Sequence, residues 1–204
     1  MPKFQVSLTM AFAVVGLVVG SCACSGDDDD GDTTDPTNEI TTTTAQPSGD
    51  DAAAVRPYVE ELLTQLDEVT DQIIRDPTLV QDPDSPLVEQ LESIYAPDAE
   101  GLAGSLETFR RDAEAGTHAE PVNSDTTIRS EVTGDPEKVD EDTVTVPICS
   151  VMTLRKVDRN GAVLELIAYL AQPGEVTATR VDGVWRLERV DVFDNTVCEG
   201  ATPA

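Results

Sequence analysis

From Thr143 to Phe193 the chain is almost entirely strand-forming, and its alternation fixes which side chains share a face. Val144, Val146, Ile148, Met152 and Leu154 recur at period two, the spacing of one face of a β-strand. Asp158-Arg159-Asn160-Gly161 then reads as a turn into Ala162–Ala171, and Pro173-Gly174 reads as a second turn. Val176–Val181 and Val184–Phe193 are joined by Asp182-Gly183, a two-residue hairpin signal. In that last run Trp185 and Leu187 fall on one face but Val190 and Val192 on the other, which predicts either a β-bulge near Glu188 or cover on both faces of the strand. Thr126–Val132 alternates weakly and is expected as a further strand.

The stretch before this sheet has helical periodicity. Val55, Tyr58, Val59, Leu62, Leu66, Val69 and Ile73 recur at three and four residues, with Pro57 suited to a first turn and Asp76-Pro77 as the stop. Ser85-Pro86 opens a second, short helix with Leu87, Leu91 and Ile94 inward. The third runs from Asp98 through Leu102, Leu106 and Phe109 to Gly116. Helices first and an antiparallel sheet after them define the α+β class. Two stretches within this order, Tyr95–Gly116 (YAPDAEGLAGSLETFRRDAEAG) and Thr177–Phe193 (TATRVDGVWRLERVDVF), together resemble the NTF2-like (SnoaL-like) family. The resemblance covers about 55–193 and implies N-terminal helices packed on a strongly curved antiparallel sheet, the NTF2-like cone, around a pocket.

The N-terminal quarter has a different character. Leu8–Val19 is a 12-residue apolar run, roughly 18 Å long as a helix and too short to span a bilayer. With Lys3 before it and small residues after it, the run has the parts of a secretory signal. Val19-Gly20-Ser21-Cys22 resembles a bacterial lipobox, which implies that the Cys22 thiol receives diacylglycerol and that Cys22 becomes the new N-terminus. Cys24 fits worse, because Ser21 would fall on its aliphatic position. Ser25–Ala54 holds nine acids and no base, and Ile40 is its one large apolar residue between Gly26 and Ala52. Such a segment cannot offset its ordering entropy by burial. The expected organisation is a lipoprotein signal peptide at 1–21, a disordered acidic Thr-rich tether at 22–54 and an NTF2-like domain at 55–204. Ten Arg against three Lys is the balance an actinobacterial-type lipoprotein would carry.

Charge narrows the partners. Thirteen Lys and Arg against 40 Asp and Glu give a net charge of −27, which repels nucleic-acid phosphates at long range and argues against nucleic-acid binding. The partners that fit are the membrane, through the lipid anchor, and either a small apolar ligand or a cell-envelope protein. The expected location is the cell membrane, lipid-anchored on its extracytoplasmic face. In an exported chain Cys149 and Cys198, the two cysteines of the folded region, are expected to pair as a disulfide on the outside of the sheet.

Catalytic parts are sparse. The lone histidine, His118, is expected in a loop after Gly116, where an exposed, non-catalytic role outweighs that of a base. Asp191 shares a face with Trp185 and Leu187 by parity, so it would be a buried general base if no bulge intervened, and solvent-facing if one did. Tyr58, Tyr95, Tyr169 and Trp185 are the pocket candidates; an aromatic at such spacing is more often core. Arg110 and Arg111 are candidates for anion recognition, against the plainer reading of a solvated face that offsets neighbouring carboxylates. No phosphate loop, zinc cluster or Ser-His-acid pattern stands out, so neither a cofactor nor a metal is expected. The function expected is a lipid-anchored extracytoplasmic binding module. The alternative is a SnoaL-like isomerase or hydrolase acting on a small apolar substrate in the cone.

Overall fold

The computed structural model describes residues 46–122, 127–193 and 197–198, without the side chains at 168 and 169. The expected signal peptide, Cys22, Cys24 and the expected tether as far as Ala45 lie outside the described residues. The residues described belong to one compact unit, Thr43–Ala204.

Helix α1 spans Ala52–Arg75, α2 spans Pro86–Ile94 and α3 spans Glu100–Ala115. Each stop has a local cause. Asp76-Pro77 ends α1 because proline cannot continue the helix and restricts the residue before it. Ser85 caps α2, its hydroxyl accepting from the Leu87 N–H at 3.4 Å, with Pro86 at the first helical position where a missing N–H costs nothing. Gly116 closes α3 at φ +66°, the left-handed conformation that glycine adopts without a Cβ clash.

The chain is packed from Gln46 rather than from Val55. The Trp185 backbone N–H donates to Gln46 Oε1 at 2.6 Å, and the Trp185 indole N–H donates to the Pro47 carbonyl at 2.9 Å. At Gly49, whose N–H donates to the Glu141 carbonyl, a Cβ would lie 2.9 Å from the carbonyl oxygens of both Asp140 and Glu141. This strap is polar, so nothing in its composition marks it as part of the fold.

The sheet is antiparallel and built on one long strand. Strands β1 (Thr117–Pro121), β2 (Ile128–Val132) and β3 (Glu137–Lys138) pair successively along one edge of β4 (Thr143–Asp158). The other edge of β4 pairs with β5 (Val163–Val181), and β5 pairs with β6 (Val184–Val192). The expected turn at Pro173-Gly174 does not exist: both residues lie inside β5, opposite Cys149 and Ile148. The ladder explains why proline is tolerated there. In an antiparallel strand a residue's N and O point to the same neighbour. The Pro173 carbonyl accepts from Phe193, just past the end of β6, and the Pro147 carbonyl accepts from Thr133, just past the end of β2. Each proline therefore sits where the neighbouring strand has stopped and no donor is missed. Gly174 is required by close approach, since a Cβ there would run into the Asp191 carbonyl oxygen.

The bulge falls at Glu188. Thr177 faces Arg189 while Ala178 faces Leu187, so Glu188 has no partner and the alternation flips. Trp185 and Leu187 before the bulge and Val190 after it consequently all pack toward the core. That core joins Val144, Val146, Ile148, Val176, Ala178, Trp185 and Leu187 of the sheet to Val55, Val59, Leu63, Val69 and Ile73 of α1, with Val88, Leu91 and Ile94 of α2 and Leu106 and Phe109 of α3. Helices over one face of a strongly curled antiparallel sheet are the α+β cone architecture expected from the sequence.

Candidate functional site

Among the described residues, the face of the sheet under the helices is packed with buried side chains. Trp185, on β6 beside the β5–β6 turn, is 1% exposed, and Tyr95 is 3% exposed where α2 meets β6. Tyr95 makes a single parallel bridge to Leu187, and the next residue, Ala96, donates its N–H to the Leu187 carbonyl at 2.8 Å. Burial pushes the Tyr95 hydroxyl above its ordinary pKa, against the opposing hydrogen bond with Ser105. Tyr58 is half-buried at the margin of the core. The Tyr169 side chain lies outside the described residues. Two of the four pocket candidates, Tyr95 and Trp185, are therefore core side chains.

The candidate bases are on the surface. His118 is not in a loop but in β1, paired with Val157, and its Nε2 lies 3.6 Å from Glu120 Oε1. Glu120 is itself held below the usual carboxylate range, first by its hydrogen bond from Arg155. Asp191 follows the bulge, is 42% exposed and forms an ion pair with Arg189, at 2.6 Å. The parity that would have buried it is reversed at Glu188.

Cys149 and Cys198 form a disulfide, with Cα atoms 6.1 Å apart. Cys149 alternates with Ile148, which points into the core, so the bond lies on the convex side. It holds Cys198 beside β5, where the Cys198 N–H donates to the Ala171 carbonyl.

A polar seam that the sequence reading missed joins α1 to the free edge of β2. Arg56 donates to the carbonyls of Val132 and Gly134, both at 3.3 Å. Asp67 accepts from the Ser130 N–H and hydroxyl, and Ser130 in turn bonds the buried Ser150 hydroxyl at 3.1 Å. Asp71 accepts from the Thr127 N–H at 2.7 Å and from the Thr127 hydroxyl. Helical carboxylates and a guanidinium thus satisfy backbone groups that an edge strand would otherwise present to a second chain. Their spacing along α1, beside the apolar stripe, was the available signal. Burial outweighs the hydrogen bonds at Asp67 and raises its pKa, while at Asp71 the bonds from Thr127 and Arg75 outweigh burial and lower it.

The sign at Asp71 follows. A carboxylate with a depressed folded pKa stabilises above its ordinary value, 3.8, and that contribution is lost as pH falls through the folded value. Asp71→Ala should therefore cost about 2 kcal/mol at neutral pH, because it strands two donors of Thr127, a residue with no exposed surface. In urea titrations the deficit should narrow at acid pH; an undiminished deficit would show that the charge of Asp71 contributes nothing.

A well-formed concavity lies outside the cone. It is a groove of about 1130 Å³ along the end of α2 and one face of α3, floored by Ala96, Ala99 and Leu106 and edged by Glu92, Arg110 and Arg111. Arg110 donates its Nε–H to the Val80 carbonyl at 3.3 Å and so ties the short 3-10 helix Pro77–Val80 to α3. Neither arginine forms an ion pair with the nearby Glu107 or Glu114 among the described residues. The charge-offsetting role expected of this pair is therefore replaced, at Arg110, by a backbone contact.

No protein-family model matches the chain, and no curated protein sequence matches it. Among solved structures it is similar to a type 2 hexachlorocyclohexane dehydrochlorinase (LinA), at 18% identity and TM-score 0.45, over 74% of this chain and 93% of that one. It is similar to the Kfla4162 protein from Kribbella flavida at 16% identity and TM-score 0.42, over 72% and 94%. The intermembrane space region of the chloroplast protein ARC6 aligns at 11% identity and TM-score 0.43, over 66% and 93%. With every one of these TM-scores below 0.5, the fold rests on the strand order and packing above.

Proposed function

We propose that the chain is a lipid-anchored extracytoplasmic domain that acts by binding. The packed core carries the binding half of this reading. A catalyst of this architecture needs an enclosed apolar space with convergent ionisable groups. Here Trp185 and Tyr95 are packed into the core, while His118 is half-buried in β1 and Asp191 is exposed, each beside a surface ion-pair partner. Recognition is thereby left to outer surfaces such as the α2–α3 groove. The anchoring half is supported by the Leu8–Val19 run, the lipobox-like Val19-Gly20-Ser21-Cys22 and the acidic tether after it.

Cys22→Ala should move the protein out of the membrane fraction or leave it with its signal attached, because a lost thioether removes the acyl chains. Unchanged membrane partitioning by this variant sinks the anchor. Native mass spectrometry of the domain from its host tests binding: a retained ligand or partner supports it. Turnover of a small apolar substrate that disappears in His118→Ala or Asp191→Asn would replace it with an isomerase or hydrolase.

A further inference from the structure

β4 pairs with β5 from one end to the other, but β6 covers the opposite edge of β5 only from Gly174 to Val181. Phe193 and Cys198 extend that cover to Pro173 and Ala171. Among the described residues nothing pairs with the outer edge from Val163 to Leu170. Along it Val163, Leu164 and Leu166 are 54%, 57% and 63% exposed, with Glu165 as the one charge. Edge strands of soluble proteins are usually short, charged or covered. This one is long and apolar, and among the described residues it is unpaired.

Charge indicates what fits it. Two copies of a chain at −27 repel one another over most of their surface. The end of the β4–β5 hairpin is the exception: Arg155, Lys156 and Arg159 stand there against Asp158 and Glu165, and Arg155 and Lys156 pair with Glu120 and Asp112. A projecting, nearly neutral arm is where two copies meet with the least repulsion. The N-terminal strap is bound at the other end of the strand, through Trp185 opposite Arg180, roughly 45 Å away along β5. The chain that precedes Gln46 therefore leaves from a point remote from this edge.

We propose that the Val163–Ile167 edge pairs antiparallel with the same edge of a second copy of this chain. A two-fold axis places one residue opposite itself. Centring on Glu165 would set two carboxylates face to face, which is destabilising. Centring on Leu166 sets leucine against leucine and Glu165 against Ile167, so Leu166 lies on the axis. The apolar area is far below that of a standard interface of about 1,200–2,000 Å², so the pair is weak, with a Kd on the order of 100 μM.

Residues 43–204 contain the whole described core and serve as the test protein, with the disulfide intact. In sedimentation equilibrium from about 10 μM to about 1 mM, the weight-average mass should climb toward the dimer, and more readily at high salt. Leu166→Glu should raise the dimer Kd at least ~10-fold with an unchanged melting temperature. Leu166→Cys should cross-link to itself on mild oxidation, and Val163→Cys should not. A monomer throughout overturns the proposal. So does a dimer indifferent to Leu166→Glu, a dimer abolished instead by Phe193→Lys, or assembly into open-ended fibres.

Discussion

Trp185→Ala is expected to destabilise the domain by about 3–5 kcal/mol, the range for truncating a fully buried large aromatic. Trp185 is 1% exposed and stands on β6 between the sheet and the helices, so its removal opens a void that helices pinned at both ends cannot close. A second loss adds to the first. The indole N–H holds the Pro47 carbonyl, so the alanine variant should also loosen the strap at 46–51. Trp185→Phe separates these effects: it keeps most of the apolar volume and removes the donor, and should cost only about 1–2 kcal/mol. Hydrogen exchange at Asp50 and Asp51 should quicken in both variants. If the phenylalanine variant is as unstable as the alanine one, the strap rather than the packed ring dominates. If neither moves the unfolding midpoint, the packed core is wrong.

What the sequence disclosed depended on whether a feature is carried by periodicity or by partners distant in the chain. The three helices, the Gly116 cap and the Asp182-Gly183 hairpin are local: apolar spacing and φ-tolerant residues are enough to locate them. The bulge at Glu188 was legible for the same reason, since Trp185 and Leu187 conflict in parity with Val190 unless one residue is added. Pro173-Gly174 misled because its turn chemistry is ordinary, while the circumstance that cancels it, β6 ending at Val192, is set elsewhere. β1 was missed because Thr117-His118-Ala119-Glu120-Pro121 has little apolar alternation; the ladder to Thr117–Pro121's partners on β4 holds it. The strap from Gln46 and the Asp67 and Asp71 seam are polar contacts between segments far apart, and composition does not announce them. At the candidate site the faces of Tyr95 and Trp185 were readable but the outcome was not. Periodicity says which way a side chain points and is silent on whether the space it enters is empty or already full.

Cleaving the Cys149–Cys198 bond is expected to cost about 4 kcal/mol, the chain-entropy value for a loop of this length, the two residues being 49 apart in sequence. For a domain of this size that corresponds to a fall of roughly 8–16 °C in Tm. The effect acts mainly on the unfolded chain. The bond's folded-state contacts are on the convex side, away from the core, and Cys149 itself is 6% exposed. Its reach includes β5 and β6 in full, together with β4 from Cys149 onward, so the closed loop contains the β5–β6 hairpin and the turn end of the β4–β5 hairpin. Thiol counting on the denatured, unreduced domain should find neither cysteine free. The paired variant Cys149→Ser with Cys198→Ser should melt close to the reduced wild type, since both lose the same constraint. Cys198→Ser alone should fall by a similar amount, because half of a bridge closes no loop. Should the double variant match the oxidised wild type instead, the crosslink is a surface ornament with no share in stability. If it melts well below the reduced wild type, the sulfur atoms contribute packing at Cys149 that the loop-closure estimate leaves out.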